Sequence, residues 1–148
     1  MIREMTVRDY DAVYSLWMVT SRGALNAVDD SREGIERFLL RNPDTCFVFE
    51  ENGNVLGTIL GGQDGRRGYI YHMAVDERER RRGIGRELVR RVESAFKNEG
   101  IAKIGLLAFA ENETGNVFWE SQGYYKREDV YYRNKNLVEL GYLDGSVH

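Results

Sequence analysis

The stretch Arg80–Gly85 places three consecutive arginines beside two glycines, just before a segment with helical spacing of apolar residues. Glycine near a helix start costs about 0.5–1 kcal/mol relative to alanine, so two glycines here indicate a specific role. The first N–H groups of a helix lack intrahelical partners and lie at the positive end of its dipole. Arginine adds charge-assisted hydrogen bonds to anions. The pattern therefore predicts a phosphate or pyrophosphate site.

Other interpretations of this stretch fit less well. A P-loop needs Gly-Lys-Ser/Thr, whereas Gly85 precedes Arg86-Glu87, and a dinucleotide fingerprint needs a third glycine where Leu88 stands. A solvated, arginine-rich turn without a ligand would leave the two glycines unexplained. Seven arginines between positions 78 and 91 could contact nucleic acid. The formal net charge of −3 opposes that alternative, because no domain-wide positive field supports counterion release.

Composition predicts one soluble domain over residues 1–148. The chain is 42% hydrophobic and 30% charged, which is ordinary for a globular protein. Its single cysteine, Cys46, cannot form an intrachain disulfide, and with only two histidines a structural zinc site has too few ligands. Neither a signal-peptide core nor a run of about 20 apolar residues is present. We therefore expect a cytoplasmic protein without a metal.

Periodicity predicts the elements that precede the arginine–glycine stretch. Helical spacing predicts helices over residues 8–21 and from Ser31, its N-cap, to Asn42-Pro43. Two strand-like runs around Asn52-Gly53 predict a β-hairpin. A glycine-rich connection over 61–68 then leads to a third, central strand. The first strand would be 2–5, the hairpin strands 46–49 and 55–60, and the central strand 69–75.

A long helix is predicted after the arginine–glycine stretch, ending at Gly100. Its apolar residues recur every fourth position, at Ile84, Leu88, Val92 and Phe96. The next strand, 104–109, should run parallel to 69–75, because a helix of this length makes a right-handed crossover. A short helix over about 115–122, aromatic strands at 124–125 and 130–132, and an aperiodic tail over 137–148 complete the chain. This order predicts an α+β or mixed α/β sheet.

Two motifs make the sequence resemble the GNAT N-acetyltransferase superfamily and, within it, the small bacterial YpeA-type acetyltransferases. The family's acetyl-CoA motif, Gln/Arg-x-x-Gly-x-Gly/Ala, is matched by Arg80–Gly85 after the predicted strand. The family's Asn-x-x-Ala-x-x-x-Tyr-x-x-x-Gly-Phe segment corresponds to Asn112–Tyr124. The correspondence covers about residues 2–136. The two motifs occur in the family's order on the predicted elements, which makes the resemblance specific.

The resemblance implies a GNAT fold and acetyl-CoA as cosubstrate. The fold would be a mixed, mostly antiparallel sheet of six to seven strands with about four helices, in which a central parallel pair splays to form the acetyl-CoA cleft. Pyrophosphate would bind the loop amides, and pantetheine would pair with the central strand. The amide of Asn112 would contact pantetheine, although a helix N-cap explains it equally well. The implied cofactor-binding residues are Met73, Ala74, Val75, Arg80, Arg81, Arg82, Gly83, Ile84, Gly85, Arg86, Asn112 and Trp119.

The catalytic groups are less well defined by the resemblance. The family places an acid tyrosine where this chain has Trp119, and an indole does not release its proton at any relevant pH. Water or a nearby tyrosine (Tyr124, Tyr125 or Tyr131) would replace it, or the thiolate would leave without an acid.

Base candidates on the central strand are Tyr69, Tyr71 and His72, of which histidine has the most suitable ordinary pKa. A packed core role for His72 and a base that acts through a chain of waters are the alternatives. Asp29, Asp30 and Glu33, near the second helix, could recognise a cationic acceptor or be ordinary solvated groups at a helix start. Strict alternation puts 69, 71, 73 and 75 on one face and 70, 72 and 74 on the other.

The resulting hypothesis is an acetyl-CoA-dependent N-acetyltransferase. It would move the acetyl group from the thioester to a primary amine of a small molecule or protein by direct attack in a ternary complex. The alternative is an acyl-CoA-binding regulatory module with little or no turnover, because the usual acid is missing. We expect no nucleic-acid or membrane partner. The family's frequent dimers leave a homodimer open.

Overall fold

The structure is a computed structural model that describes residues 1–20 and 25–143. In this part of the chain, short 3₁₀ turns precede the first helix (Val7–Asp9) and follow the fourth strand (Glu77–Glu79). The strands are β1 (Ile2–Glu4), β2 (Cys46–Glu51), β3 (Asn54–Gln63), β4 (Gly68–Val75) and β5 (Ile104–Leu106). The helices are α1 (Tyr10–Thr20), α2 (Arg32–Arg41), α3 (Ile84–Asn98) and α4 (Glu113–Ser121).

The sheet is mixed and mostly antiparallel, as predicted. Its strand order is β1-β2-β3-β4-β5, and β4–β5 is the parallel pair that α3 connects. The hairpin between β2 and β3 turns at Asn52-Gly53, whose φ angles of 53° and 79° fit the turn type that this dipeptide favours. The predicted hairpin, central strand and crossover are therefore confirmed.

Strand β3 is longer than predicted, because Gly61 and Gly62 belong to it rather than to a loop. A Cβ built on Gly61 would lie 2.6 Å from Val92 Cγ2 and 2.7 Å from the carbonyl oxygen of Thr45. A Cβ on Gly62 would lie 2.7 Å from the ring of Phe38. These glycines allow the sheet to approach the helices on both faces closely. Two adjacent glycines are typical of a turn, but here glycine is needed because the strand packs closely against helices.

The sheet has fewer strands than the six to seven expected. In the described residues, 124–125 and 130–132 form no strand, and β5 ends at Leu106 instead of 109. The side chains of Tyr125 and Tyr131 are 85% and 89% exposed, so aromatic content here brings little burial. Local ion pairs connect residues 126–129 instead: Lys126 with Glu128 and Arg127 with Asp129.

The core consists of one apolar cluster on each face of the sheet. One cluster joins α1 and α2 to the sheet and centres on Trp17, which is fully buried. The other joins α3 to the opposite face and includes the predicted stripe of Ile84, Leu88, Val92 and Phe96, all buried. The predicted N-cap is also confirmed, since the Ser31 hydroxyl accepts the N–H of Gly34.

Residues 142 and 143 contact residues 25 and 26, which lie between α1 and α2. The N–H of Leu143 donates to the carbonyl of Leu25, and Tyr142 forms a β-bridge with Asn26. Within the predicted tail, residues 144–148 lie outside the described part of the chain, as does Ser21 at the end of the first predicted helix.

Residues 1–20 and 25–143 contain neither a membrane-spanning helix nor a metal-binding group of side chains. None of these helices is both long enough and apolar enough to cross a lipid bilayer. Within the same residues, no three His, Cys, Asp or Glu side chains are grouped so that they could ligate a metal ion.

The tight packing at Gly61 leads to a stability prediction. Gly61→Ala should lower the free energy of unfolding by about 1–3 kcal/mol, because the backbone of Thr45 cannot easily move away from the added methyl group. Gly105→Ala is the matched control in another strand: its methyl would lie 3.3 Å from the half-exposed ring of Tyr69, which can shift. It should change stability by less than about 1 kcal/mol. Urea denaturation of both variants measures the difference, and equal losses would contradict the packing explanation.

Candidate active site

Strands β4 and β5 pair over only three residues and then separate. The paired positions are 68 with 104, 69 with 105 and 70 with 106, and β4 continues for five more residues to Val75. The backbone groups of Tyr71–Val75 that point towards β5 therefore lack a strand partner within the described residues. The predicted splay of the central parallel pair is confirmed. It leaves an open wedge whose wall is a free strand edge.

A β-bulge distorts β4 at the opening of this wedge. Thr58 pairs with Ala74 and Leu60 with Tyr71, so Ile59 of β3 faces both His72 and Met73. His72 has a φ of 47°, which is uncommon for a residue other than glycine.

The bulge makes the predicted alternation of faces wrong. Tyr71 packs edge-on against Phe38 of α2, and His72 stacks on Trp17 of α1, so both lie on the α1–α2 side of the sheet. Met73 instead packs with the α3 cluster. The extra residue shifts the register by one, and no periodicity argument could place it.

The arginine–glycine stretch forms the N-terminus of α3, as predicted. Gly83 is the N-cap with a φ of 78°, and no side chain caps it. The first helical hydrogen bond runs from the N–H of Glu87 to the carbonyl of Gly83. The amides of residues 83–86 therefore have no acceptor within the helix.

The two glycines of this stretch are required for different structural reasons. A Cβ on Gly83 would meet no atom within 4 Å, so glycine is favoured there by the positive φ. A Cβ on Gly85 would lie 3.3 Å from both Met73 Cε and the ring of Phe118. Gly85 thus lets α3 approach β4 and α4, whereas only Gly83 borders open space.

The arginines of the stretch are not equivalent either. Arg82 donates to Glu51 of the hairpin at 2.7 Å and to Glu79 at 2.6 Å. These hydrogen bonds, Glu51 first, raise the pKa of Arg82 further above its usual range. Arg80 has a longer contact of 3.6 Å with Glu77. Arg81 and Arg86 form no ion pair with any residue that the structure describes, which leaves them available to an anion.

Helix α4 lies at the side of the wedge. The side chain of Asn112 caps it by accepting the N–H of Gly115 at 3.0 Å, which confirms the N-cap interpretation. Phe118 and Trp119 pack edge to face, and Trp119 packs in the same way against Tyr124 at 5.2 Å between ring centroids. The aromatic cluster thus connects α4 to the start of α3.

The hydroxyl of Tyr124 is hydrogen-bonded to a carboxylate of α3. It donates to Glu93 of α3 at 2.8 Å, and burial together with this carboxylate raises the pKa of Tyr124 well above its usual range. Its proton is therefore directed towards α3. Of the tyrosines that could replace the missing acid, this one is poorly placed to donate to a leaving group.

His72 is paired with Asp30, for which the sequence predicted contact with a cationic acceptor or ordinary solvation at a helix start, and not contact with the central strand. Its Nε2 lies 2.6 Å from Oδ1 of Asp30, and its ring stacks on Trp17 with 4.3 Å between centroids. The side chains of Asp30 and His72 are 7% and 21% exposed. The two residues are 42 positions apart, so no spacing pattern could have linked them. Pairing of β3 with β4 and the turn before α2 bring them together.

The tyrosine candidates on β4 have other surroundings. Burial raises the pKa of Tyr71, with further contributions from Tyr69, Tyr132 and Asp29, so its phenol is protonated near neutral pH. The ring of Tyr69 lies over Gly105 at the end of the strand pairing. Both side chains are more than 40% exposed.

Comparisons with known proteins agree with this geometry. The model of the acetyltransferase (GNAT) family matches residues 10–124. An acetyltransferase of Sodalis glossinidius is 33% identical over 138 residues, covering 93% of this chain and 96% of that protein. An acetyltransferase of Photorhabdus laumondii is 34% identical over 143 residues, covering 95% and 99%.

A solved structure shows the same fold. The PaiA N-acetyltransferase of Thermoplasma acidophilum in complex with coenzyme A superposes with a TM-score of 0.74 at 18% identity, covering 88% of this chain and 92% of that one. The chain thus has the fold and the cleft of an acyl-CoA-dependent transferase. It belongs to the acetyltransferase (GNAT) family, whose members take the acetyl group from acetyl-CoA. The narrower YpeA-type assignment stays a prediction.

The capping role of Asn112 can be separated from a role in binding. Asn112→Ala should destabilise the protein by about 0.5–2 kcal/mol, because the N–H of Gly115 loses its acceptor. Asn112→Asp retains an acceptor oxygen and favours the positive end of α4, so its thermal unfolding should match the wild type. Equal destabilisation in both variants would contradict the cap.

Proposed function

We propose that this protein is an N-acetyltransferase that transfers the acetyl group of acetyl-CoA to a primary amine by direct attack in a ternary complex. The observation that carries the proposal is the wedge between β4 and β5: Met73, on the part of β4 that is not paired with β5, lies against Gly85 at the uncapped N-terminus of α3. A free strand edge suits an amide-containing arm, and free helix amides suit a pyrophosphate. Coenzyme A contains both groups in that order.

Each part of coenzyme A has proposed partners in the wedge. The pyrophosphate would lie on the amides of residues 81–86, with the unpaired guanidinium groups of Arg81 and Arg86 nearby. Arg82 would contribute only its amide, because its side chain is bound to carboxylates. Pantetheine would pair with residues 73–75, the side-chain amide of Asn112 would contact it, and Trp119 would border the thiol.

The reaction makes one bond and breaks one. The neutral amine attacks the thioester carbon, a C–N bond forms, and the C–S bond breaks to release the thiolate of coenzyme A. The extra proton on the acylated nitrogen passes to this thiolate, which leaves the neutral amide and the thiol. An unpaired N–H of β4 would stabilise the oxyanion of the tetrahedral intermediate. Holding both substrates in one wedge would supply much of the acceleration. An ordinary thiol has a pKa near 8.5, so the thiolate can leave without the missing acid.

We assign the proton of the amine to His72. An alkylammonium has a pKa near 10 and must lose a proton before it attacks. His72 lies at the bulge, two residues beyond the last β4–β5 pair, and the lone pair of its imidazole can accept a proton there. Tyr71 is a weaker candidate because burial raises the pKa of its phenol.

Turnover on a panel of amines tests the proposed function. The protein is mixed with acetyl-CoA and each amine, and the free thiol of coenzyme A is followed with a thiol reagent. Cys46 will not interfere, because it is buried and its pKa is raised to about 12 by burial. Amine-dependent thiol release with formation of the amide would support the enzyme. Binding of acetyl-CoA without turnover on any amine would favour the regulatory module and overturn the proposal.

Gly83 provides a test of the pyrophosphate site with a matched control. Gly83→Ala should weaken coenzyme A binding about tenfold or more, because a methyl group enters the open space above the amides and the backbone is strained. Gly65→Ala introduces the same strain, since Gly65 has a φ of 92° and equally open surroundings, but lies in the β3–β4 loop. Both variants should lose about 1–2 kcal/mol of stability.

Calorimetric titration with coenzyme A distinguishes the two variants. We expect wild-type affinity for Gly65→Ala and weakened binding for Gly83→Ala. Unchanged affinity in Gly83→Ala would refute the placement of the pyrophosphate at the N-terminus of α3.

A further inference from the structure

We propose that Asp30 is a positioning residue for the reaction: it holds the imidazole of His72 by Nε2 and leaves Nδ1 as the nitrogen that accepts the amine proton. This inference rests on the proposed function, in which His72 is the base. It adds a residue from outside the central strand and the acetyl-CoA motif. It also states which nitrogen reacts.

The carboxylate of Asp30 is fixed on both of its oxygens. Oδ1 lies 2.6 Å from Nε2 of His72, and Oδ2 accepts the backbone N–H of Asn26 at 2.9 Å. The backbone carbonyl of Asp30 accepts the hydroxyl of Tyr10 at 2.6 Å. Because the residue is also buried, it has one defined position from which to hold the imidazole.

This contact determines the tautomer of the neutral ring. An ionised carboxylate can only accept hydrogen bonds, so the nitrogen that faces it must carry the proton. Nε2 of His72 is therefore the N–H, and the lone pair is on Nδ1. Nδ1 has no hydrogen bond to any residue in the described part of the chain. It is the ring atom left to accept a proton.

Stacking prevents the ring from exchanging its two nitrogens. The ring of His72 lies on the fully buried Trp17 with an interplanar angle of 27°. A flip would break the bond to Asp30 and disturb this contact. Once Nδ1 takes the amine proton, the imidazolium remains bonded to the carboxylate, which stabilises its charge. The pair thus orients the base and favours its protonated product.

Other charged and titratable side chains lie near this pair. Tyr10 belongs to α1 and is within electrostatic range of Asp30, Arg32 and Glu33. Asp29 precedes Asp30 and acts on the neighbouring Tyr71. Among the described residues, only Asp30 bonds directly to the imidazole. The positioning role therefore falls to Asp30 and not to these neighbours.

Long-range ¹H–¹⁵N spectra of the imidazoles test the tautomer without any activity assay. The chain contains two histidines, so His148→Gln leaves His72 as the only signal. We expect the neutral ring to carry its proton on Nε2 in about nine molecules out of ten or more, since a single charge-assisted hydrogen bond favours one tautomer by more than tenfold. A spectrum dominated by Nδ1–H would overturn the inference with no variant of Asp30 needed.

Asp30→Asn then tests the effect on the reaction. Asparagine has one carboxamide oxygen where Asp30 has two acceptors, so only one of the two donors, the N–H of Asn26 or that of His72, keeps an acceptor in place. The tautomers should therefore mix, and kcat/KM should fall by at least about tenfold. The KM for acetyl-CoA should stay within about twofold.

Asp29→Asn is the matched control, because Asp29 belongs to the same turn and accepts the side chain of Asn26 at 3.1 Å without touching His72. It should leave the tautomer in place. An unchanged tautomer or an unchanged kcat/KM in Asp30→Asn would refute the positioning role. Full turnover in His72→Asn would instead refute the base assignment, and with it the catalytic part of this inference. The tautomer measurement does not depend on the assignment of His72 as the base.

Discussion

The early end of the β4–β5 pairing is the constraint on which the rest of the molecule depends. If β4 and β5 were paired along their whole length, their backbone groups would hydrogen-bond to each other. Here β4 continues for five residues beyond its last pair with β5. Unpaired N–H and C=O groups are costly unless something bonds to them. The bulge at His72, the uncapped start of α3 and helix α4 all border this gap. The structure therefore maintains an incomplete sheet beside an incomplete helix, an arrangement that suits the proposed ligand, a long anion that contains amide groups.

Much of the fold could be predicted from residue patterns. The stripe at Ile84, Leu88, Val92 and Phe96 defined α3, and Asn52-Gly53 defined the hairpin, because each pattern has one local physical cause. Prediction failed where a local signal had a tertiary cause. Gly61 and Gly62 looked like a loop but serve close packing of strand on helix. The aromatic residues at 130–132 looked like a strand, yet their side chains remain exposed.

The candidate site divides in the same way. The anion-binding end follows from the sequence, because free amides at a glycine-rich helix start are a local property of Arg80–Gly85. The catalytic end does not. A single extra residue in β4 turns Tyr71 and His72 to the same side, and a turn 42 residues earlier supplies Asp30. Bulges and contacts between distant segments depend on the assembled sheet, so they cannot be predicted from residue spacing.

The burial of Cys46 has a consequence for an enzyme whose coproduct is itself a thiol. Disulfide exchange requires an accessible thiolate. The S–H of Cys46 is in the interior, where the carbonyl oxygens of Asn42 and Gly61 both lie within reach as acceptors, and burial raises the pKa of the thiol to about 12. The oxidised, disulfide form of coenzyme A therefore finds no partner on this cysteine. Oxidation of coenzyme A to its disulfide therefore does not modify the protein through Cys46.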